Sequence, residues 1–266
     1  MREAIKIWGK TLGIFKKYPK LFLPFLFVAL VDGFFLYLLY LAPQRPVSFV
    51  LAPWIRRFFG EKFLHYPYNL YLLPQLYRYS HIFVGATLGI LMSAVASFMI
   101  KEILENKRPN MLIGSLLSLR RYFSLFGVWV ITFSLSFFLL RMVRKIITNH
   151  HLLFFLFSLF VVAVVASFFI YAIPAIIIER RGFFSSIGRS ISFFKRFILV
   201  TLILNLVPSL LYFPVTALKS KVSFLLHFSP PEIIIGVLSL GVVISLIIDI
   251  FTTASPVILF LEKGGK

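Results

Sequence analysis

The sequence predicts an all-α integral membrane protein, with six transmembrane helices in three pseudo-repeats, each led by an amphipathic interfacial helix. Three observations predict it. Of the 266 residues, 60% are hydrophobic and only 14% charged, where a soluble domain carries about 25% charged residues. The apolar residues gather in continuous runs of about 20 positions, the length a helix needs to cross the hydrocarbon. Small residues at steps of four, then a carboxylate, recur in alternate runs.

The composition leaves few other classes. One core cannot hide so much apolar surface from water. In lipid the backbone must satisfy its own hydrogen bonds, which leaves helices or closed barrels. Barrel strands alternate apolar and polar residues, and these runs do not. The runs cover about 21–41, 81–100, 122–140, 152–178, 197–218 and 233–261. The first is expected to be kept as a span, because the segment before it is long and amphipathic and no small-residue cleavage site follows.

Lys and Arg set the orientation. With the N-terminus in the cytoplasm, inside segments hold 18 of the 28 cations and outside segments 10. The positive-inside rule then places both termini in the cytoplasm of a prokaryotic cell membrane. The net charge of +19 is spread over every inter-span segment. Anionic lipid headgroups at the basic inner-face helices are the expected partners. No nucleic acid is expected, since no nucleic-acid motif accompanies the charge. The segment 43–80, crowded with Trp54, Phe58, Phe59, Tyr66, Tyr68, Tyr71, Tyr77 and Tyr79, reads as short interfacial helices and turns. Its functional alternative is a lid over a cavity.

Three basic stretches align: Gly9 to Tyr18, Gly114 to Phe123 and Gly188 to Phe197. Each starts with Gly, carries a small residue four positions on, and ends in basic residues beside an aromatic. Each leads into a span, as an inner-interface helix would. The returning spans align as well. Gly85, Gly89, Ser93 and Ser97 in the second match Gly241, Ser245, Asp249 and Thr253 in the sixth, with Ala163, Ser167 and Tyr171 in the fourth. Steps of four keep residues on one helix face. Gly85, Gly89, Ser93, Ser97 and Gly241 read as helix-packing positions, where small residues let backbones approach. The carboxylates Glu105, Glu179 and Glu262 end these spans, each expected to pair with a basic residue of an interfacial helix. The chain is thus one polytopic domain, 1–266, in units of about 1–104, 105–178 and 179–266.

The stretch from Pro174 to Ser190 has a Pro, four apolar residues, Glu179, then Gly182 and a small-residue helix reaching Arg189-Ser190. It resembles the characteristic motif of the six-span membrane domain fused to some glycerophosphodiester phosphodiesterases, with stand-alone prokaryotic relatives. The resemblance implies a six-helix membrane domain with interfacial helices. It implies no enzyme activity, because the phosphodiesterase chemistry belongs to a separate soluble barrel domain.

The candidate intramembrane polar site comprises Asp32, Asp249, Thr253, Ser245 and Asn205. Acids at this depth are costly and tend to mark ion, proton or headgroup sites; the plainer reading is a hydrogen-bonded packing residue. No Lys or Arg lies at the depth of either Asp, so no buried ion pair is expected. His150 and His151 are adjacent, so on a helix they point apart and make a poor metal site. His65, His81 and His227 have no distinguishing spacing. With no cysteine and no nucleotide, zinc-protease or nucleophile-elbow motif, neither a catalytic residue, a metal nor a cofactor is expected. The sequence thus reads as a non-enzymatic multi-pass protein for lipid or small-solute handling or permeation. A scaffold or assembly subunit and an intramembrane lipid-modifying enzyme are the alternatives. The enzyme would need acids, bases or metal ligands converging in one pocket.

Overall fold

The structure, a computed structural model, describes residues 1–146, 151–220, 230 and 232–264, and all regular structure among them is helical. His150, His227 and the side chain of His151 lie outside what is described. The α-helices are α1 Arg2–Lys17, α2 Phe22–Leu41, α3 Val47–Phe59, α4 Tyr68–Val84, α5 Ile90–Leu104, α6 Met111–Arg120 and α7 Tyr122–Ile146. They continue with α8 His151–Phe169, α9 Ala172–Ile177, α10 Phe183–Arg196, α11 Ile198–Leu210, α12 Phe213–Ser220 and α13 Ile233–Lys263. A π-helical turn, Gly85–Gly89, lies between α4 and α5.

Among the described residues, five helical stretches are long and apolar enough to cross a membrane: Pro19–Leu41, Tyr68–Leu104, Tyr122–Lys145, Leu156–Ile177 and Ile233–Lys263. A sixth exists if Phe183–Arg196 and Ile198–Leu210, bent by 98°, count as one. One expected span needs correction, and the helix around another extends beyond it. The fifth, 197–218, is not continuous: α11 has only 13 residues, about 20 Å of helix against about 30 Å of hydrocarbon. The chain turns at Leu211 and Tyr212 because Pro214 has no N–H for the Leu210 carbonyl and its ring crowds it. The helix that holds the second expected span, 81–100, begins earlier, at Tyr68. Leu70, Leu73, Leu76, Tyr77 and Val84 of α4 are buried at helical spacing, while Tyr68, Tyr71 and Tyr79 are exposed. The polar tips of those tyrosines give the stretch the composition of an interfacial segment.

The chain divides into two compact units. One comprises Met1–Leu26, Ala86–Leu211 and Ile247–Lys266, the other Phe27–Gly85 and Tyr212–Leu246. In the first unit, polar side chains join helices where apolar contact gives little drive. Asn205 Nδ2 donates to the Ala163 carbonyl at 2.9 Å and to Ser167 Oγ at 3.1 Å. One turn along α11, Thr201 Oγ1 lies 2.6 Å from the hydroxyl of the buried Tyr171. The four-residue ladder Ala163, Ser167, Tyr171 thus faces a four-residue step on α11. The fourth span breaks between α8 and α9 because Pro174 leaves the Ile170 carbonyl without its donor. Ser190 secures the break: its Oγ donates to the Phe168 carbonyl at 2.7 Å and accepts from the Tyr171 N–H at 3.2 Å.

The span-ending carboxylates differ. Glu262 pairs with Lys10, and Lys263 with Glu3 at 3.4 Å. Thr11 Oγ1 also meets Ser255 Oγ at 3.1 Å, so α1 and the end of α13 are joined at three points. Glu179 pairs with Arg181 and with Arg189 at 3.2 Å. Arg189 also donates to the Gly264 carbonyl at 2.7 Å and lies over the Phe260 ring. Glu105 departs from expectation. Its partners are Lys107 at 2.7 Å and Lys101 at 3.7 Å, not a residue of α6. In the glycine-led alignment Ser115 stands where the first and third stretches have Lys10 and Arg189, so α6 offers no cation there. Hydrogen bonding to Lys107 holds the Glu105 carboxyl below its usual range. α6 is anchored by Glu102 instead, whose Oε2 accepts from the Asn110 N–H at 2.7 Å, while Asn110 caps the helix.

The second unit is built on Leu36, Ile55, Phe63, Leu70, Leu73, Leu76, Tyr77, Ile234, Leu238 and Val242. The C-terminal part of α2, then α3, the 3-10 turn Glu61–Leu64, α4 and the N-terminal half of α13 contribute these residues. Gly85 has open space where a Cβ would stand, so close helix approach is not its role. Gly241 does serve close approach: a Cβ there would lie 3.2 Å from Val215 Cγ1 and 3.4 Å from the Tyr212 hydroxyl.

The multiple bonds of Arg189 make it the costly cation to lose. Arg189→Ala is expected to lower the stability of detergent-solubilised protein by about 1–2 kcal/mol, whereas Lys107→Ala leaves the thermal midpoint unchanged. Equal shifts for the two variants would contradict this reading of the helix ends.

Candidate functional site

Four consecutive contacts in the second unit bring titratable groups together. Asp32 lies on α2 with its side chain 3% exposed. Tyr77 Oη donates to Asp32 Oδ2, and His81 Nδ1 lies 2.8 Å from the same oxygen. Tyr77 and His81 are four apart on α4 and so share a face. Lys219 Nζ donates to Tyr212 Oη at 2.8 Å. The ammonium sits 5.7 Å from the Tyr77 ring centre and 5.1 Å from that of Tyr212, a cation–π arrangement.

The partners of Asp32 border a cavity of about 580 Å³, lined by Pro74, Gln75, Tyr77, Arg78 and His81 from α4 and by Tyr212, Thr216 and Lys219 at α12. The spacing explains the lining. Positions 74, 77, 78 and 81 form one stripe of α4, and 212, 216 and 219 are spaced as one stripe at α12. Gly241 allows Tyr212 to come close. Among the described lining residues the charged or basic groups are Arg78, His81 and Lys219, and none is a carboxylate. Burial pushes the Lys219 ammonium down to about 8, with the negative charge of Asp32 acting in the opposite direction.

Asp32 leaves one oxygen unmatched. Oδ1 is buried and has no hydrogen-bond partner among the described residues. A buried acceptor left so costs about 1–3 kcal/mol, more if charged. The oxygen therefore gains from a water molecule or a polar ligand that donates to it.

The other residues named from sequence lie elsewhere. Asn205 belongs to the first unit, bonded to Ala163 and Ser167, and acts as a packing residue there. Ser245 returns its hydroxyl to the Val242 carbonyl at 2.9 Å. Asp249 is exposed and Thr253 half-buried on α13. Asp32 is thus the one member of that group at the cavity's edge. Its partner is a histidine, whereas the absence of Lys and Arg at its depth predicts no ion pair. The signal that points to Tyr77, Arg78 and His81 is the buried periodicity of α4, which extends helix into the stretch read as interfacial. Lys219 and Tyr212, seven apart beside a proline, carry no such signal. Among the described residues no three of His, Cys, Asp and Glu gather as metal ligands.

No family model, curated protein or solved structure matches the chain. The resemblance drawn above therefore stands on the motif from Pro174 to Ser190 alone.

Replacing Asp32 by Leu separates two roles with opposite signs. A lipid-facing acid exchanged for Leu raises stability, because Leu is favoured in a span. Loss of the acceptor for Tyr77 and His81 lowers it by about 1–3 kcal/mol. Thermal denaturation in detergent is expected to show a lower midpoint for Asp32→Leu, and a higher one contradicts the site.

Proposed function

We propose that the protein is a non-enzymatic multi-pass membrane protein that binds a small anionic group, phosphate or carboxylate, as part of lipid or small-solute handling. The observation that carries this reading is the cavity of about 580 Å³ lined by Arg78, His81 and Lys219. Its counter-charge, Asp32, is engaged by Tyr77 and His81. An anion there would neutralise the half-buried Lys219 ammonium and the exposed Arg78 guanidinium without displacing a carboxylate. A scaffold would have a filled interior at this place, so the open volume favours binding.

The carboxylate–imidazole contact of Asp32 and His81 supports a second reading, an intramembrane lipid-modifying enzyme, since a base oriented by an acid is a familiar catalytic element. Product formed from a bound lipid would favour it over binding alone.

The proposal extends to topology. Six spans with both termini in the cytoplasm of a prokaryotic cell membrane follow from the charge distribution. Three repeats, each led by an amphipathic inner-face helix in contact with anionic headgroups, draw on paired features. Lys10–Glu262 and Arg189–Glu179 occupy matching places. The residues after Glu105 and Glu179, Asn106 and Arg180, are both left-handed, at φ 58° and 56°. In the glycine-led register, buried Ile7, Thr11 and Phe15 on α1 fall at the places of buried Ser186, Ser190 and Phe194 on α10.

The low Lys219 value fixes the sign of a pH effect. The ammonium carries its charge below about 8, so anion affinity is expected to be full near pH 7 and to fall up to about tenfold by pH 9. Sulfate is a suitable probe because its charge is constant over this range. Lys219→Arg keeps its charge throughout and should show no loss between pH 7 and pH 9. Wild-type affinity that does not change with pH, or absence of sulfate binding, counts against the proposal.

A further inference from the structure

A second cavity adjoins the cationic one. It measures about 260 Å³ and is lined by Phe58, Phe59, Leu72, Gln75 and Leu76. Gln75 lines both cavities. Residues 74, 78 and 81 of α4 thus serve a basic chamber, and residues 72 and 76 an apolar one. The aromatic side of the apolar chamber is formed by exposed rings in contact: Phe58 stacks with Trp54 at 6.5 Å, and Phe59 packs against Tyr79 at 5.9 Å.

We infer that the ligand of this unit is an anionic amphiphile with a single hydrocarbon chain, its head held among Arg78, His81 and Lys219 and its chain entering between Phe58, Phe59, Leu72 and Leu76. The inference rests on the anion-binding reading above and specifies its substrate class. Charge complementarity selects the head, because the described lining of the larger cavity is basic. Volume selects the chain. Pockets for whole small molecules measure about 300–1,000 Å³, so a chamber of about 260 Å³ takes part of one chain rather than two. The bridging position of Gln75 suits the junction: its amide can donate to a head or linker oxygen while its stem lies along the chain.

The test compares three probes on the intact protein in nanodiscs. Lysophosphatidate has both parts, glycerol 3-phosphate has the head alone, and lysophosphatidylcholine has the same chain under a zwitterionic head. Lysophosphatidate is expected to bind about tenfold or more tighter than glycerol 3-phosphate. Phe58→Ala, at an exposed position, and Leu72→Trp, which fills the apolar chamber, should each remove most of that advantage and leave glycerol 3-phosphate affinity unchanged. Equal affinity for lysophosphatidate and glycerol 3-phosphate, insensitive to both variants, overturns the inference and leaves the anion-binding reading standing. Equal affinity for lysophosphatidylcholine and lysophosphatidate also overturns it, because the head is then not selected. Binding of none of the three overturns both.

Discussion

Taking the Asp32 carboxyl out of water demands partners, and α4 supplies them. One oxygen receives Tyr77 and His81 from successive turns of that helix, which fixes how α2 and α4 are rotated about their axes. Once α4 is set, Pro74, Arg78 and His81 line the cavity while Leu70, Leu73 and Leu76 fill the core. The Tyr77 ring then offers its face to Lys219. The arrangement of the second unit thus follows from one acid whose burial is tolerated only in this geometry.

The first unit reaches its order by a different route. Its helices exchange few charges at depth and rely on hydroxyl and amide groups: Asn205 with Ser167, Thr201 with Tyr171, Ser190 with the broken end of α8. In hydrocarbon such bonds are worth about 0.6–2 kcal/mol each, and their larger effect is to fix register. The helix ends are then tied by ion pairs, of which the Arg189 cluster is the most connected. Lys107 and Glu105, in contrast, form a solvent-accessible pair, which screening makes weak.

How much of this could be read from the residues depends on the range of the signal. Spans of some twenty apolar residues are local and were legible, and four of the expected spans coincide with helices of the structure. The fifth differs because Pro214 sits within an apolar run, where hydropathy outweighs chain breaking. The helix around the second starts earlier than its apolar run, because tyrosines look interfacial while Leu70, Leu73 and Leu76 carry a buried stripe. Asp32 stood out from its own span. Its partners did not, since Tyr77 and His81 are more than forty positions away and a histidine among aromatics has no local mark. Pairings of this kind depend on tertiary contact, which no window of sequence contains. The Glu105 partners are a different case: Ser115 in place of a cation is visible in the glycine-led alignment, but that Glu105 turns instead to Lys101 and Lys107 appears only in the structure.

The account turns on whether Asp32 accepts a hydrogen bond from His81 Nδ1. Nitrogen-15 NMR of selectively labelled histidine in the intact protein reads this directly, because the tautomer and hydrogen bonding of each ring nitrogen shift its resonance. With His81 assigned by its absence in His81→Gln, the wild-type ring should show Nδ1 protonated and strongly hydrogen-bonded, and Asp32→Asn should move that signal. A His81 ring protonated at Nε2 alone, with a spectrum unchanged by Asp32→Asn, would contradict the contact on which the site depends.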